Sequence, residues 1–322
     1  MHTDRRKSAV ALLSVISNIT LVIFKLIIGL LIGSVSIISE AIHSGVDLVA
    51  AVIAYISVRK ASKPADADHP FGHGKIENIS GTIEAVLIFF AAALIIYEAI
   101  QKLIHPTPLE TVSLGVLIMF LSSVVNIGVS HRLFKIGRET DSIALQADAW
   151  HLRTDVYTSA GVMIGLILIF LGQRYWPQYD LRWLDPVCAL AVAALIIKTA
   201  FRLTAQASKD LLDANLPDEE LWIRSLLESR REMIHGYHSL RTRKSGSMRF
   251  IDFHMQVDPD MSVIDSHRFS QELSALIKER FPNSTVTIHI EPCTGECSDK
   301  CRAGCILSDE ERQNIREKRG ID

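Results

Sequence analysis

The sequence has no excess of either charge. Its 34 Lys and Arg face 36 Asp and Glu over 322 residues, a formal net charge of -2. Basic residues gather only in short segments beside apolar runs, so the composition argues for no nucleic-acid partner. Cysteine is scarce as well: there are 5, and four of them, Cys293, Cys297, Cys301 and Cys305, crowd into one short stretch. A secreted disulfide scaffold does not confine its cysteines to one tail, so the cluster reads as reduced, cytosolic thiols. No HExxH or nucleophile motif occurs, which argues against a membrane zinc hydrolase. The first apolar run also lacks a small-x-small cleavage site. It extends from Ala9 to Ile32 behind Arg5, Arg6 and Lys7, with Lys25 as its one charge. That is too long for a signal-peptide core and predicts a first membrane span.

What is present is split in two. The first two-thirds of the chain hold six apolar segments, near 8–32, 34–58, 76–104, 111–134, 142–172 and 184–206. Each meets the roughly 20 residues needed to cross a bilayer. Lys and Arg favour one set of connections: Arg5, Arg6 and Lys7, then Arg59, Lys60, Lys63 and Lys75, then Arg132, Lys135 and Arg138. The other set holds Lys102, Arg174 and Arg182. By the positive-inside rule both termini face the cytoplasm, in a multi-pass protein of the cell (inner) membrane. After Leu212 the pattern becomes that of a soluble domain. Pro217 with Asp218, Glu219 and Glu220 opens a helix. A strand follows near 236–243, and 248–257 alternates Ile251, Phe253, Met255 and Val257 against Asp252, His254 and Gln256. A helix from Val263 to Phe281 and a strand over 285–291 complete an α-β-β-α-β order. The fold class expected is an all-α six-helix membrane bundle followed by a small α/β two-layer, metallochaperone-like domain. The divisions are 1–207, 208–292 and a Cys-rich tail over 293–322.

Charges inside the spans carry the chemistry. A charged side chain at the bilayer centre costs on the order of 3 kcal/mol on insertion scales. Yet the second span contains Glu40, His43 and Asp47, and the fifth contains Asp148, His151, Arg153 and Asp155. His43-x-x-x-Asp47 and His151-x-x-x-Asp155 share one spacing, and residues four apart share a helix face. Two such helices facing each other make a four-ligand cage of two imidazoles and two carboxylates. The carboxylates neutralise a divalent ion, and tetrahedral N/O coordination suits Zn²⁺. In the loop after the second span, Asp66, His69 and His73 can converge on one ion, with Gly72 and Gly74 permitting a tight fold. A solvated polar loop would have the same composition.

These residues carry a family resemblance. Ser39 to Asp47, Phe71-Gly72-His73-Gly74-Lys75-Ile76-Glu77 and His151-Leu152-Arg153-Thr154-Asp155 resemble the membrane motifs of the cation diffusion facilitators. Leu240 to Arg243, Phe250 to His254 and His289-Ile290-Glu291-Pro292 resemble that family's cytosolic domain. The resemblance implies a homodimer in a lipid bilayer that exports a divalent metal, Zn²⁺ first, by alternating access and proton antiport. Fe²⁺, Co²⁺, Ni²⁺, Cd²⁺ and Mn²⁺ are alternative cargoes, and a non-transporting membrane metal sensor is an alternative role. It implies a transport site of His43, Asp47, His151 and Asp155, and a loop site of Asp66, His69 and His73. A cytosolic regulatory site would comprise His238, His254, His267, His289 and Glu291, and Lys75 with Asp213 would form a charge interlock between protomers. On the residues alone, His254 and His289 lie on polar strand faces, which agrees.

The tail departs from the family pattern. Spaced four apart, Cys293, Cys297, Cys301 and Cys305 would form one stripe on a helix, and soft thiolates favour Zn²⁺, Cu⁺ or an iron–sulfur cluster. Lys25, Glu40 and Asp148 have no role assigned by spacing, although Lys25 is expected to pair with an acid inside the bundle.

Overall fold

The computed structural model describes residues 2–33, 35–105, 113–175 and 183–320. The chain forms two compact units, Met1–Leu211 and Leu212–Asp322. The first consists of α1 (His2–Ile32), α2 (Val35–Ala61), α3 (Lys75–Ile104), α4 (Ser113–Glu139), α5 (Ile143–Tyr175) and α6 (Leu184–Leu211). All six are long and apolar enough to cross a membrane. They match the six expected segments, except that residues 34 and 111–112 lie outside the described residues. Large side chains such as Leu31, Ile42, Phe90 and Phe201 point outward, as a bundle solvated by lipid requires.

Small residues contribute to the contacts between helices, where they let backbones approach closely. Ala85, Ala92 and Ala99 of α3 are buried, as are Ala193, Ala200 and Ala207 of α6. A Cβ on Gly81 would stand 2.7 Å from Ile143 Cγ2, so α3 and α5 touch there because nothing larger intervenes.

Lys7, among the basic residues before the first apolar run, is 2% exposed, and its Nζ lies 3.0 Å from Glu77 Oε1. Ser142 Oγ donates to the other Glu77 oxygen. This network ties together the end of the bundle where α1 and α3 begin. Arg153, although in the charged stretch of α5, turns away from the ligands: its Nε donates to Ser130 Oγ and its guanidinium lies over Phe134 and Trp150.

The second unit begins with α7 (Pro217–Glu228), then β1 (Gly236–Ser245), β2 (Met248–Val257), α8 (Val263–Arg280) and β3 (Ser284–Pro292). This is the α-β-β-α-β order expected. The sheet runs β1-β2-β3, with β1 antiparallel and β3 parallel to β2. Ile251, Phe253, Met255 and Val257 pack on Phe269, Leu273 and Ile277 of α8 and on Ile223 and Leu227 of α7, which places the core on one sheet face. Ser262 caps α8 by accepting from Asp265 N–H. Two short helices follow, α9 (Asp299–Ala303) and α10 (Asp309–Arg319), the latter opened by a reciprocal Ser308/Glu311 capping box. The polar face of β2 is not wholly solvated. Gln256 is buried because the tail packs on it and Cys301 Sγ donates to its Oε1 at 3.2 Å.

Candidate functional site

Three groups of described residues bring three donor atoms within 4.8 Å of one another: His43/Asp47/Asp155, Asp66/His69/His73 and His238/His254/Glu291. The first is built by the repeated i,i+4 pairs. α2 presents His43 and Asp47 on one face, α5 presents His151 and Asp155, and the two faces meet. His151 stands just beside the triad, with Nε2 3.1 Å from Asp47 Oδ1, and its Nδ1 is buried with no hydrogen-bond partner among the described residues. Asp47 and His151 are buried, Asp155 is half-buried and His43 is exposed. That exposure is to a cavity of about 430 Å³, lined at one end by His43, Asp47 and Asp155 and at the other by Glu98, Lys102 and Asp185. The Lys102–Asp185 pair, 3.2 Å apart, lies where α3 ends and α6 begins, opposite the Lys7–Glu77 end. Three of the four expected ligands therefore line this cavity, and the fourth, His151, stands against Asp47 beside it.

The helices also bury acids that spacing did not find. Glu84 of α3 is fully buried and its carboxylate has no hydrogen-bond partner among the described residues, while Asp148 of α5 is 1% exposed and neighbours Ser14 of α1. Glu84 is near enough to Asp148, His151 and Asp47 to feel their charge. The available signal for Glu84 was a single acid in an otherwise apolar stretch of the third span. Lys25 donates to Ser44 Oγ at 2.9 Å, one residue from His43. The side chain of Glu40 lies outside the described residues.

The second group sits in the loop between α2 and α3. His69 N–H donates to Asp66 Oδ1 at 2.7 Å, and His73 Nε2 lies 3.4 Å from Asp66 Oδ2. The His69 and His73 rings stand 4.3 Å apart. Gly72 has φ +80°, the left-handed backbone the tight turn requires. Gly74 needs no such freedom: it is the α3 N-cap, in the right-handed region at φ -55°. The backbone hydrogen bond from His69 holds the Asp66 carboxyl below its usual range, with side-chain bonding and the charges of His73 and His69 adding to it. A carboxylate beside two imidazoles is a donor set of the kind cations use.

In the third group, sheet register does the positioning. His238 of β1, His254 of β2 and His289 of β3 are directly paired across the strands. They stand on the face away from α8, their rings 4.9 and 4.7 Å apart in succession. Glu291 reaches back across them: Oε2 lies 2.9 Å from His238 Nε2, and Oε1 lies 2.7 Å from His254 Nδ1 and 3.6 Å from His289 Nε2. Burial raises the Glu291 carboxyl, but hydrogen bonds from His254 and His238 and the charges behind them outweigh it and leave it below the usual range. His267 is not brought to this group. It is exposed on α8, which packs on the opposite, apolar face of the sheet.

The four tail cysteines do not form a helical stripe. Cys293 directly follows β3, Cys297 follows Gly295 at φ +86°, Cys301 sits in α9, and Cys305 pairs with Gly236 in an isolated β-bridge. Glycines and a short helix break the periodicity that the four-residue spacing suggests.

Charged donors grouped inside a six-helix bundle, with further histidine–carboxylate groups in a loop and on a sheet, define a membrane protein that handles cations rather than an enzyme. Residues 11–212 match the cation efflux transmembrane domain, and residues 216–293 match the cytoplasmic domain of cation efflux proteins. The chain belongs to the cation diffusion facilitator family, and it is a multi-pass transporter of divalent metal. It is 37% identical over 261 residues to the uncharacterized transporter sll1263 of Synechocystis sp., covering 81% of this chain and 82% of that one. It is 33% identical over 262 residues to the cation-efflux pump FieF of Citrobacter koseri, covering 81% and 85%. Among solved structures, the metal-bound C-terminal domain of the CzcD transporter from Thermotoga maritima is 31% identical, covering 22% of this chain and 83% of that chain at a TM-score of 0.21.

Proposed function

We propose that the protein exports Zn²⁺ from the cytoplasm in exchange for protons, as a homodimer of the cell (inner) membrane with both termini cytoplasmic. The observation that carries this reading is the bond between His151 Nε2 and Asp47 Oδ1, 3.1 Å long, beside His43 and Asp155. In the empty site a proton occupies the line between two atoms that a metal would take. A metal ligand must be neutral imidazole or ionised carboxylate, so binding the ion expels that proton. Ion and proton compete for the same atoms, and alternating access turns competition into exchange. The reference histidine pKa of about 6.5 places the exchange near physiological pH. Two imidazoles with two carboxylates suit Zn²⁺ over harder ions, and the positive-inside asymmetry supports the orientation.

In this reading residues 1–207 carry the ion. Residues 208–292 bind regulatory metal through His238, His254, His289 and Glu291 and hold the dimer together. Asp66, His69 and His73 offer a separate loop site, and the resemblance pairs Lys75 with Asp213 between protomers.

The test is zinc flux in proteoliposomes under imposed pH gradients, with a pH dye inside. An acidic far side should drive zinc export and acidify the near side in step. Zinc flux indifferent to the gradient, with no matching pH change, would make the protein a uniporter. Competition by Fe²⁺, Co²⁺, Ni²⁺, Cd²⁺ and Mn²⁺ in the same vesicles ranks the cargo, and binding without any flux would identify a sensor.

A further inference from the structure

The tail after Cys293 runs past the residues matched to the family's cytoplasmic domain, and none of the four thiols from Cys293 to Cys305 contributes to the three groups above. Its backbone is nonetheless closely fixed. Cys293 N–H donates to the Val257 carbonyl at 2.9 Å, which extends the β2–β3 ladder into the tail. Ser298 caps α9 by accepting from Cys301 N–H. The chain then returns to the free edge of β1: Tyr237 N–H donates to the Gly304 carbonyl at 2.9 Å, and Ile306 N–H to the His235 carbonyl at 3.0 Å. A Cβ on Gly304 would stand 1.6 Å from Tyr237 O, so the approach requires glycine.

This path, strand end, turn, short helix and bridge, folds the four cysteines into one neighbourhood. The Cys293 thiol is close enough to feel those of Cys301, Cys305 and Cys297, and Cys301 feels Cys297 and Cys305. Cys293 and Cys301 are buried, Cys297 and Cys305 are half-buried, and all four are free thiols. Cations accompany them. Arg316 Nε donates to the Gly295 carbonyl at 3.1 Å, and Arg312 is near enough to Cys305 and Cys297 to feel their charge. Positive groups beside a cluster of sulfurs offset the charge that four thiolates around a divalent ion would leave.

We propose that Cys293, Cys297, Cys301 and Cys305 form a tetrathiolate site for one resident zinc-class ion, which locks the tail onto the sheet. The three-residue gaps fall within the C-x2-4-C spacing of structural zinc sites, and four sulfurs in a tetrahedral shell leave no open position for exchange. The ion is therefore structural cargo of the tail, chemically distinct from an exported ion held by nitrogen and oxygen. The thiols are gathered but not drawn onto one point, since the donor groups within 4.8 Å are those of histidine and carboxylate. Binding closes the remaining distance and releases the thiol protons.

The experiment uses the reduced, full-length protein in detergent with Co²⁺ as the spectroscopic stand-in for zinc. One equivalent should give the near-ultraviolet thiolate-to-cobalt charge-transfer band, and Zn²⁺ should erase it. Nitrogen and oxygen sites do not produce this band, so the result stands or falls independently of transport. Cys297→Ser/Cys305→Ser, at two half-buried positions, should abolish the band while the protein still elutes as a folded species. As a second readout, zinc at a hundred times its dissociation constant should slow alkylation of these four thiols about a hundredfold. Cys188, in α6, should label at an unchanged rate and serves as the internal control. Absence of the band together with zinc-independent alkylation overturns the proposal. Two disulfides in the unreduced protein by mass spectrometry overturn it as well, as does iron with acid-labile sulfide in the purified protein.

Discussion

Asp47→Asn isolates the charge of the intramembrane site from its shape. Asparagine is isosteric and its Oδ1 still accepts from His151 Nε2, so the contact at 3.1 Å survives while one of two compensating negative charges is removed. Removing one partner from a buried ion pair costs about 3–5 kcal/mol. Asp47 is buried, but His43 is open to the cavity, so water screens the site in part and the lower end applies. About 3 kcal/mol is roughly a hundredfold in dissociation constant. The half-saturating zinc concentration for flux into proteoliposomes should rise by about that factor. At the concentration that half-saturates the parent protein, the variant should be indistinguishable from empty liposomes. Circular dichroism of the metal-free variant should still show the folded helical bundle, which separates lost binding from lost fold. An unchanged half-saturating concentration would mean that Asp47 does not hold the ion, and the cage would have to be abandoned.

Replacing His43 with Asp makes the cage harder and more anionic, so Cd²⁺ or Mn²⁺ flux should rise relative to Zn²⁺ in mixed-metal competition, and an unchanged ratio removes His43 from selectivity. Lys7→Ala should destabilise the bundle by about 3–5 kcal/mol, because it strands Glu77 as a buried charge, while Lys7→Met with Glu77→Met should recover most of that loss in thermal unfolding. For the sheet site, Glu291 holds its proton less readily in the folded than in the unfolded protein, so metal-free stability is present above the ordinary carboxyl value of 4.5 and lost as pH falls below it. Glu291→Gln should flatten that acid limb, followed by tryptophan fluorescence, and should reduce the metal retained by the full-length protein in equilibrium dialysis.

Much of this was legible in the sequence because two periodicities were clean. The alternation of Ile251, Phe253, Met255 and Val257 fixed both a strand and its buried face, and the four-residue step from His43 to Asp47 and from His151 to Asp155 placed each pair on one helix face. Cross-strand contact was less accessible. That His238, His254 and His289 would stand in one row depends on register, including the irregularity between His238 and Arg241. Glu84 escaped because a lone acid has no partner at a diagnostic spacing, and its burial arises from α3 packing among other helices. The burial of Lys7 is not legible in a basic residue before an apolar run, because it depends on α1 beginning early enough to bring it against Glu77. His267 shares a residue type with the sheet site but lies on α8, and which side of a sheet a helix covers is a tertiary fact. The thiols misled for a local reason: a spacing of four suggests a helix, but Gly295 and Gly304 turn that segment into a loop.

The return of the tail along β1 also bears on solubility. A three-stranded sheet has two outer edges, and an uncovered edge is a row of unpaired N–H and C=O groups open to any passing strand. Here Gly304, Cys305 and Ile306 occupy the beginning of the β1 edge through their bonds to Tyr237, Gly236 and His235. A protein shortened before Cys293 would keep its membrane helices and its histidine row yet expose that edge, turning a guarded border of the sheet into a template for aggregation.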